Sequence, residues 1–330
     1  MGRKAIITGV GHYVPPKVLT NKDLEKMVET NDEWIVSRTG IRERRILEGE
    51  LGSSYLGLKA TEMLYENRSD STADIDLIIF ATVTPDTLFP SSSCRLQEQI
   101  GADKAWGIDL NGACSGFLYG LTTGAQFIES GMHKKVLVVG ADKMSSILDY
   151  EDRATCILFG DGAGAVLLEP SDDDTLGIQD SILRSDGSGK DYLYMMGGGS
   201  MHPATHETVD KKMHYIYQDG RTVYKFAVSR MADVSAEILG KNNMTGEDVN
   251  FFIPHQANKR IIDAAAKRMG LREDQVVINI DKYGNTTAGT IPIAMSEIYR
   301  DNKLKKGDNV VLAAFGAGFT WGSILLRWAI

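Results

Sequence analysis

Apolar and polar positions along the chain follow two periods, and the changes of period mark the elements. Short unbroken apolar runs at 5–10, 77–82, 135–141 and 249–253 read as strands buried on both faces. Further strands are predicted at 106–110, 276–280, 309–314 and 322–326, and a strand pair over 155–168 broken by Gly160-Asp161-Gly162-Ala163-Gly164. Helical spacing predicts helices over 21–29, 54–67, 91–100, 221–239 and 259–269, with others starting behind 112–116 and behind 284–289, the latter running to Arg300. Strand and helix in alternation imply an α/β fold. The stretch 187–220 is rich in Gly, Met, His and Tyr without a clean period and reads as an extended, partly mobile region over an active site.

The pattern repeats. A glycine-rich turn at 112–116 leads into a helix, then to a strand ending Val138-Val139-Gly140 and a segment ending Ala165-Val166-Leu167-Leu168. A second turn at 284–289 leads into a helix, then to Val311-Leu312-Ala313-Ala314 and a segment ending Ser323-Ile324-Leu325-Leu326. Two similar halves, 1–172 and 173–330, are therefore expected to pack about a pseudo-two-fold axis, with their matching turns close together. Cys114 would face the loop carrying Asn285, beside the strand end carrying His255.

Composition narrows the classes. A chain of 330 residues, 43% hydrophobic and 24% charged, suits a soluble globular protein of one large or two medium domains. A net charge of −8 argues against general nucleic-acid binding. Cys94, Cys114 and Cys156 are too widely spaced for a disulfide framework or a zinc pattern, so no metal is expected and a reducing, cytoplasmic compartment fits. No signal-peptide pattern is visible, Ile6 stands where myristoylation wants Ser or Thr, and no apolar run approaches the ~20 residues of a membrane span.

Several stretches carry candidate chemistry. Cys114 lies where a strand ends and a helix begins, so free amides and the helix dipole would lower its pKa. The alternative is a buried cysteine acting as a small hydrophobe. Gly9-Val10-Gly11-His12-Tyr13-Val14 starts like a dinucleotide fingerprint, but Val14 replaces the third glycine and Pro15-Pro16 forbids a helix, so no such site is expected. Trp34 and Arg38 share a helix face and suit an adenine beside a phosphate, or else form an ordinary Trp–Arg packing pair. His202, His206 and His214 read as solvated loop residues. Arg260, Lys267 and Arg268 share a helix face, with Lys225 near, and form either a docking stripe for an acidic partner or a solvated face.

Six ordered motifs then carry a resemblance that spans essentially the whole chain. They are Asp32-Glu33-Trp34-Ile35 through Arg42, Gly112-Ala113-Cys114-Ser115-Gly116-Phe117, Phe159-Gly160-Asp161-Gly162-Ala163-Gly164-Ala165, Pro254-His255-Gln256-Ala257-Asn258, Gly284-Asn285-Thr286 and Gly316-Ala317-Gly318-Phe319-Thr320-Trp321-Gly322. With them the sequence resembles the thiolase superfamily, and within it the β-ketoacyl-acyl carrier protein synthase III family of condensing enzymes. The resemblance implies a thiolase-like fold in αβαβα layers and a Cys114–His255–Asn285 constellation that condenses an acyl-CoA starter with malonyl-acyl carrier protein. It further implies an oxyanion hole from the amides of Cys114 and Ala317, although relatives often have glycine at position 317. It places Trp34, Arg38 and Arg153 at the adenine end of coenzyme A, and Asn258 and Gly220 along the pantetheine. It has Phe89 crossing a homodimer interface into the acyl pocket of a second copy. Acyl carrier protein would dock on Lys225, Arg260, Lys267 and Arg268. No cofactor is implied, since coenzyme A enters as substrate. The rivals are a starter-condensing enzyme of a polyketide or secondary-metabolite pathway, and a non-catalytic partner subunit. The intact Cys114, His255 and Asn285 argue against the latter.

Overall fold

The structure, a computed structural model, describes residues 3–330. The chain runs β1 (Lys4–Tyr13), β2 (Lys17–Thr20), α1 (Asn21–Leu24), α2 (Asp32–Thr39), β3 (Glu43–Ile46), α3 (Ser53–Tyr65), β4 (Leu77–Ala81), α4 (Ser92–Gln99) and β5 (Trp106–Leu110). It continues through α5 (Gly116–Glu129), β6 (Val136–Asp142), α6 (Arg153–Cys156), β7 (Gly162–Ser171), β8 (Gly177–Ser185), β9 (Leu193–Met195), α7 (His206–Asp210) and β10 (Ile216–Gln218). It closes with α8 (Gly220–Lys241), β11 (Phe251–Pro254), α9 (Lys259–Met269), α10 (Ile280–Tyr283), α11 (Thr290–Arg300), β12 (Asn309–Gly316) and β13 (Thr320–Arg327).

One sheet has the order β1-β7-β6-β4-β5 and the other the order β8-β13-β12-β11, extended past β11 by a parallel bridge from Phe252 to Val276. Strand senses match position by position. In each sheet the first two pairings are antiparallel and the rest are parallel. Residues between β7 and β8 join the two sheets.

The expected αβαβα layering is found. α5 and α11 lie between the sheets in one core that takes in Phe117, Leu121, Ile291 and Met295 with Val138, Val166, Leu312 and Ile324. α3 and α4 cover the outer face of the first sheet, and α8 and α9 that of the second. Glycines at a four-residue spacing let α5 come close: a Cβ on Gly120 would lie 3.1 Å from Val138, and one on Gly124 3.0 Å from Leu168. Burying each large aliphatic side chain in this layer contributes about 1.5–3 kcal/mol.

Four elements differ from the sequence pattern. The helix predicted over 21–29 ends at Leu24, although a capping box opens it, with Thr20 accepting from the Asp23 amide and Asp23 answering the Thr20 backbone. The first limb of the pair predicted over 155–168 is α6 and a short bridge, because its backbone pairs with the Asn285 loop instead of β7. The strand predicted over 276–280 is reduced to one bridge. There the Val277 amide reaches the Phe252 carbonyl at 2.9 Å, and Gln256 then takes the Asn279 amide at 3.2 Å, turning the chain into α10. The stretch 187–220 holds the β9–β10 pair and α7, and Lys212 ties it to Asp149 at 2.8 Å and Glu151 at 2.6 Å. Among the described residues no helix is long and apolar enough to cross a membrane.

Candidate active site

The two matching turns meet at the centre of the molecule. The first, Ala113–Ser115, is a single 3₁₀ turn between β5 and α5. Ala113 adopts φ 47°, a left-handed conformation that costs a non-glycine residue free energy and is held here by its surroundings. Thr320 supplies part of the hold: its hydroxyl donates to the Gly112 carbonyl at 3.0 Å, and its carbonyl accepts from Ser115 Oγ at 3.1 Å. The backbone of Gly316 packs so close that a Cβ there would lie 2.7 Å from the Cys114 amide nitrogen.

The Cys114 thiol is buried, and here the sequence expectation fails. Its pKa is pushed up to about 12, because burial disfavours the thiolate and the nearby Asp142 charge adds to the effect. A hydrogen bond from Asn285 and the cysteine's own amide oppose this without prevailing. The free protein therefore holds a thiol, and a base must take its proton.

His255 stands where β11 ends, with its amide on the Ala313 carbonyl at 2.8 Å. It is 2% exposed, and burial drives its pKa down to about 3, so the imidazole is neutral. Nδ1 lies 2.6 Å from Thr290 Oγ1, while Nε2 is buried without a partner among the described residues. Asn285 follows Gly284, whose φ is 62°. Its backbone is clamped on α6's exit, with its amide on the Leu158 carbonyl at 2.9 Å and its carbonyl accepting from Gly160 at 3.0 Å. Its Oδ1 accepts from the Thr287 amide at 2.8 Å, which leaves its amino group for the Cys114 sulfur.

Asp142 and Thr290 escaped the sequence reading. Asp142 closes the apolar strand β6 and is fully buried, and burial raises its carboxyl to about 6. Its Oδ1 accepts from the Thr82 hydroxyl, the Val83 amide and both groups of Thr84, and its Oδ2 from the Ala288 amide at 3.3 Å. A lone acid ending an otherwise apolar strand is the signal that could have found it.

Two cavities meet at Cys114. One of about 520 Å³ is bordered by Cys114, His255 and Asn285 at its floor, then by Gly220 and Asn258, and by Trp34, Arg38 and Arg260 farther along. The other, of about 410 Å³, is mostly apolar and bordered by Met144, Ile147, Phe159, Leu193 and Ile216, with Ala317 beside Cys114. Trp34 is flanked by two cations: the guanidinium carbons of Arg38 and Arg153 lie 4.9 and 5.0 Å from its ring centroid. Asn258 caps α9 and donates to the Arg38 carbonyl at 2.9 Å, joining α2 to α9.

Other predicted residues lie apart. Phe89 borders neither cavity and is 86% exposed, next to Leu88 at 81%. Lys225, Arg260, Lys267 and Arg268 are all exposed on α8 and α9, with Arg260 over the Tyr224 ring at 4.8 Å and Arg268 3.6 Å from Asp233. His214 lies 2.9 Å from the Thr208 hydroxyl. Among the described residues no group of three or more His, Cys, Asp or Glu could hold a metal ion.

Known proteins share this sequence and shape. The family described as 3-oxoacyl-[acyl-carrier-protein (ACP)] synthase III matches residues 108–187, and its C-terminal counterpart matches 239–328. A β-ketoacyl-[acyl-carrier-protein] synthase III of Chlorobium chlorochromatii is 60% identical over 98% of this chain and 99% of its own. The crystal structure of 3-oxoacyl-[acyl-carrier-protein] synthase III from Aquifex aeolicus VF5 superposes with a TM-score of 0.90 at 43% identity, covering 99% of this chain and all 100% of that one. The priming β-ketosynthase of the R1128 polyketide pathway superposes with a TM-score of 0.91 at 32% identity, covering 99% of this chain and 97% of its own.

Proposed function

Because this chain belongs to the β-ketoacyl-[acyl-carrier-protein] synthase III family, we propose that Cys114, His255 and Asn285 divide its condensation reaction between them. The chain is an acyltransferase that joins an acyl-CoA starter to malonyl-acyl carrier protein and initiates fatty acid synthesis. One observation carries the residue assignment. A thiol, a neutral imidazole and an amide border one cavity that reaches Trp34 and Arg38, and the thiol also borders a second cavity. The half 1–172 brings the thiol, and the half 173–330 the other two groups.

In this reading coenzyme A lies along the larger cavity with its adenine on Trp34 between Arg38 and Arg153, and its arm passes Gly220 and Asn258. The acyl chain enters the apolar cavity. His255 Nε2 takes the Cys114 proton, and the sulfur attacks the thioester carbon. The amides of Cys114 and Ala317 hold the oxyanion. Coenzyme A leaves with the proton. Malonyl-acyl carrier protein then loses carbon dioxide, and His255 and Asn285 donate to the enolate oxygen while its carbon attacks the acyl carbon on Cys114. The bond from that carbon to the Cys114 sulfur breaks, the β-ketoacyl product leaves on the carrier protein, and the sulfur takes up a proton to return to the thiol. No cofactor is needed, since coenzyme A is itself the substrate.

Acyl carrier protein docks on the exposed basic face of Lys225, Arg260, Lys267 and Arg268, which lies beside the cavity mouth. The exposed Leu88 and Phe89, together with the unpaired edge of β5, support a homodimer in which Phe89 closes the acyl pocket of a second copy. Three free thiols suit the cytoplasm. Intact mass after mixing with a panel of acyl-CoA thioesters tests the assignment. One acyl group mapping to Cys114, and none on Cys114→Ala, is the expected result. Acylation of the exposed Cys94 instead would defeat it.

A further inference from the structure

The repeat between the halves isolates one pair of residues. In the first sheet Gly140 lies opposite Ala81 on one side and Gly164 on the other. In the second, Ala314 lies opposite Gly322 and its neighbour Ala313 opposite Pro254, so His255 stands where the first half has Ala81. The central helices that face these positions begin with Gly116 and Thr290. Where there is alanine at the strand end the helix starts with glycine, and a Cβ on Gly116 would lie 3.2 Å from that of Ala81. Where there is histidine the helix starts with threonine, 3% exposed, its hydroxyl 2.6 Å from Nδ1.

We propose that Thr290 is a positioning residue that sets which nitrogen of His255 carries the proton, and so fits one imidazole to both half-reactions. The inference rests on the role given to His255 above. A threonine hydroxyl has one proton to donate and lone pairs to accept. With that proton on the Thr287 carbonyl, 3.3 Å away, Thr290 accepts from Nδ1–H and Nε2 is bare. This is the form that takes the Cys114 proton. The sulfur's electron pair goes to the thioester carbon, the bond to the coenzyme A sulfur breaks, and that sulfur takes the proton back from Nε2. With the hydroxyl turned to donate to Nδ1, the ring's single proton is on Nε2, which can then donate to the enolate oxygen. The two neutral forms differ by one proton removed at Nδ1 and one added at Nε2, exchanged with cavity water, and no proton is gained overall.

The test separates tautomer from fold. In ¹⁵N-histidine-labelled protein, with the His255 signal among the six histidines identified by its loss in His255→Gln, the expected ring proton is on Nδ1. Thr290→Val keeps the shape and removes the acceptor, so the proton should move to Nε2. Acylation of Cys114 by acyl-CoA should then fall about 10²-fold, while carbon dioxide release from malonyl-acyl carrier protein falls far less. Thr290→Ser should restore both rates and the tautomer. Equal loss of both half-reactions in Thr290→Val, no rescue by serine, or a wild-type proton already on Nε2 would overturn the proposal. The wild-type spectrum decides even if the valine variant fails to fold. His255→Ala with undiminished acylation would instead remove the assignment of His255 itself.

Discussion

The turns at Ala113–Ser115 and Thr287–Gly289 share a backbone and differ in what surrounds them. Both are single 3₁₀ turns that open a central helix, and both hold a non-glycine residue in the left-handed region, Ala113 at φ 47° and Thr287 at φ 52°. Counting from those residues, Ala288 stands where Cys114 stands, and Asn285 where Asn111 does. The strand registers set Asp142 at the end of β6 in the place that Gly316 holds at the end of β12. Asp142 accepts the Ala288 amide. Gly316 has no side chain to do the same for Cys114. One turn therefore has its amide satisfied and keeps a structural role, while the other keeps an amide free for an oxyanion. The same turn geometry occurs twice, and the lack of a side chain at Gly316 leaves room for chemistry beside one copy.

Gly316→Ala is the strongest way to break this comparison. Its new Cβ would meet the Cys114 amide nitrogen at 2.7 Å, so the turn or the strand end must shift and the amide is covered. Loss of one oxyanion donor should slow acylation of Cys114 by about 10²–10³. Single-turnover acylation by acyl-CoA, with the fold followed by circular dichroism, measures it. A rate near wild type would mean that the Cys114 amide holds no oxyanion.

The next effect concerns pH, because the groups beside the two turns have opposite buried chemistry. Burial takes His255 down to about 3 and Asp142 up to about 6, against roughly 6.5 and 3.9 in an unfolded chain. For His255 the folded value is the lower one. Its contribution to stability is complete above about 6.5 and is lost as pH falls, roughly 3 kcal/mol by pH 4. For Asp142 the folded value is the higher one. Its contribution is complete below about 4 and is lost as pH rises through 6, again roughly 3 kcal/mol. Between pH 4 and 6 the two slopes oppose each other. Relative to wild type, urea unfolding across pH 4–8 should show stability rising as pH falls from 6 to 4 in His255→Gln, where the Asp142 slope is left alone, and falling over the same range in Asp142→Asn, where the His255 slope is left alone. Parallel curves for both variants and wild type would show that neither group is held as described.

Much of this was legible in the sequence. The long apolar strands, α9 and the repeat could be read from period and spacing, and Cys114 from its place between a strand and a helix, whereas His255 and Asn285 stood out only through the family resemblance. What was missed depends on distant partners. The 276–280 run has strand composition, yet only Val276 and Val277 reach Phe252 before Gln256 turns the chain. The first limb of 155–168 pairs with a loop more than a hundred residues away. The direction of the Cys114 shift was misread for a related reason. A strand-to-helix junction predicts amides around a thiol, but the burial that outweighs them comes from both halves closing over it. Thr290, the first residue of an ordinary-looking helix, has meaning only beside His255.

The mildest prediction tests the comparison from its inert side. Ala288→Cys puts a thiol at the position that matches Cys114, on a turn with a nearly identical backbone. The neighbours differ: Asp142 already holds the amide, and the strand end that would supply a base carries Ala81. No second acyl group is therefore expected on this variant, and its condensation rate should stay within a few-fold of wild type. The cost should appear in stability. Ala288 is 1% exposed and packs where a Cβ on Gly116 would lie only 3.8 Å away, so one added sulfur in that space should destabilise by about 1–3 kcal/mol and lower Tm by a few degrees. Intact mass after acyl-CoA treatment counts the adducts. A second adduct, mapped to position 288, would show that the turn's backbone alone activates a thiol, and that Gly316 and His255 matter less than the comparison requires. A single adduct with a lowered Tm would place the chemistry in what surrounds the turn and not in the turn itself.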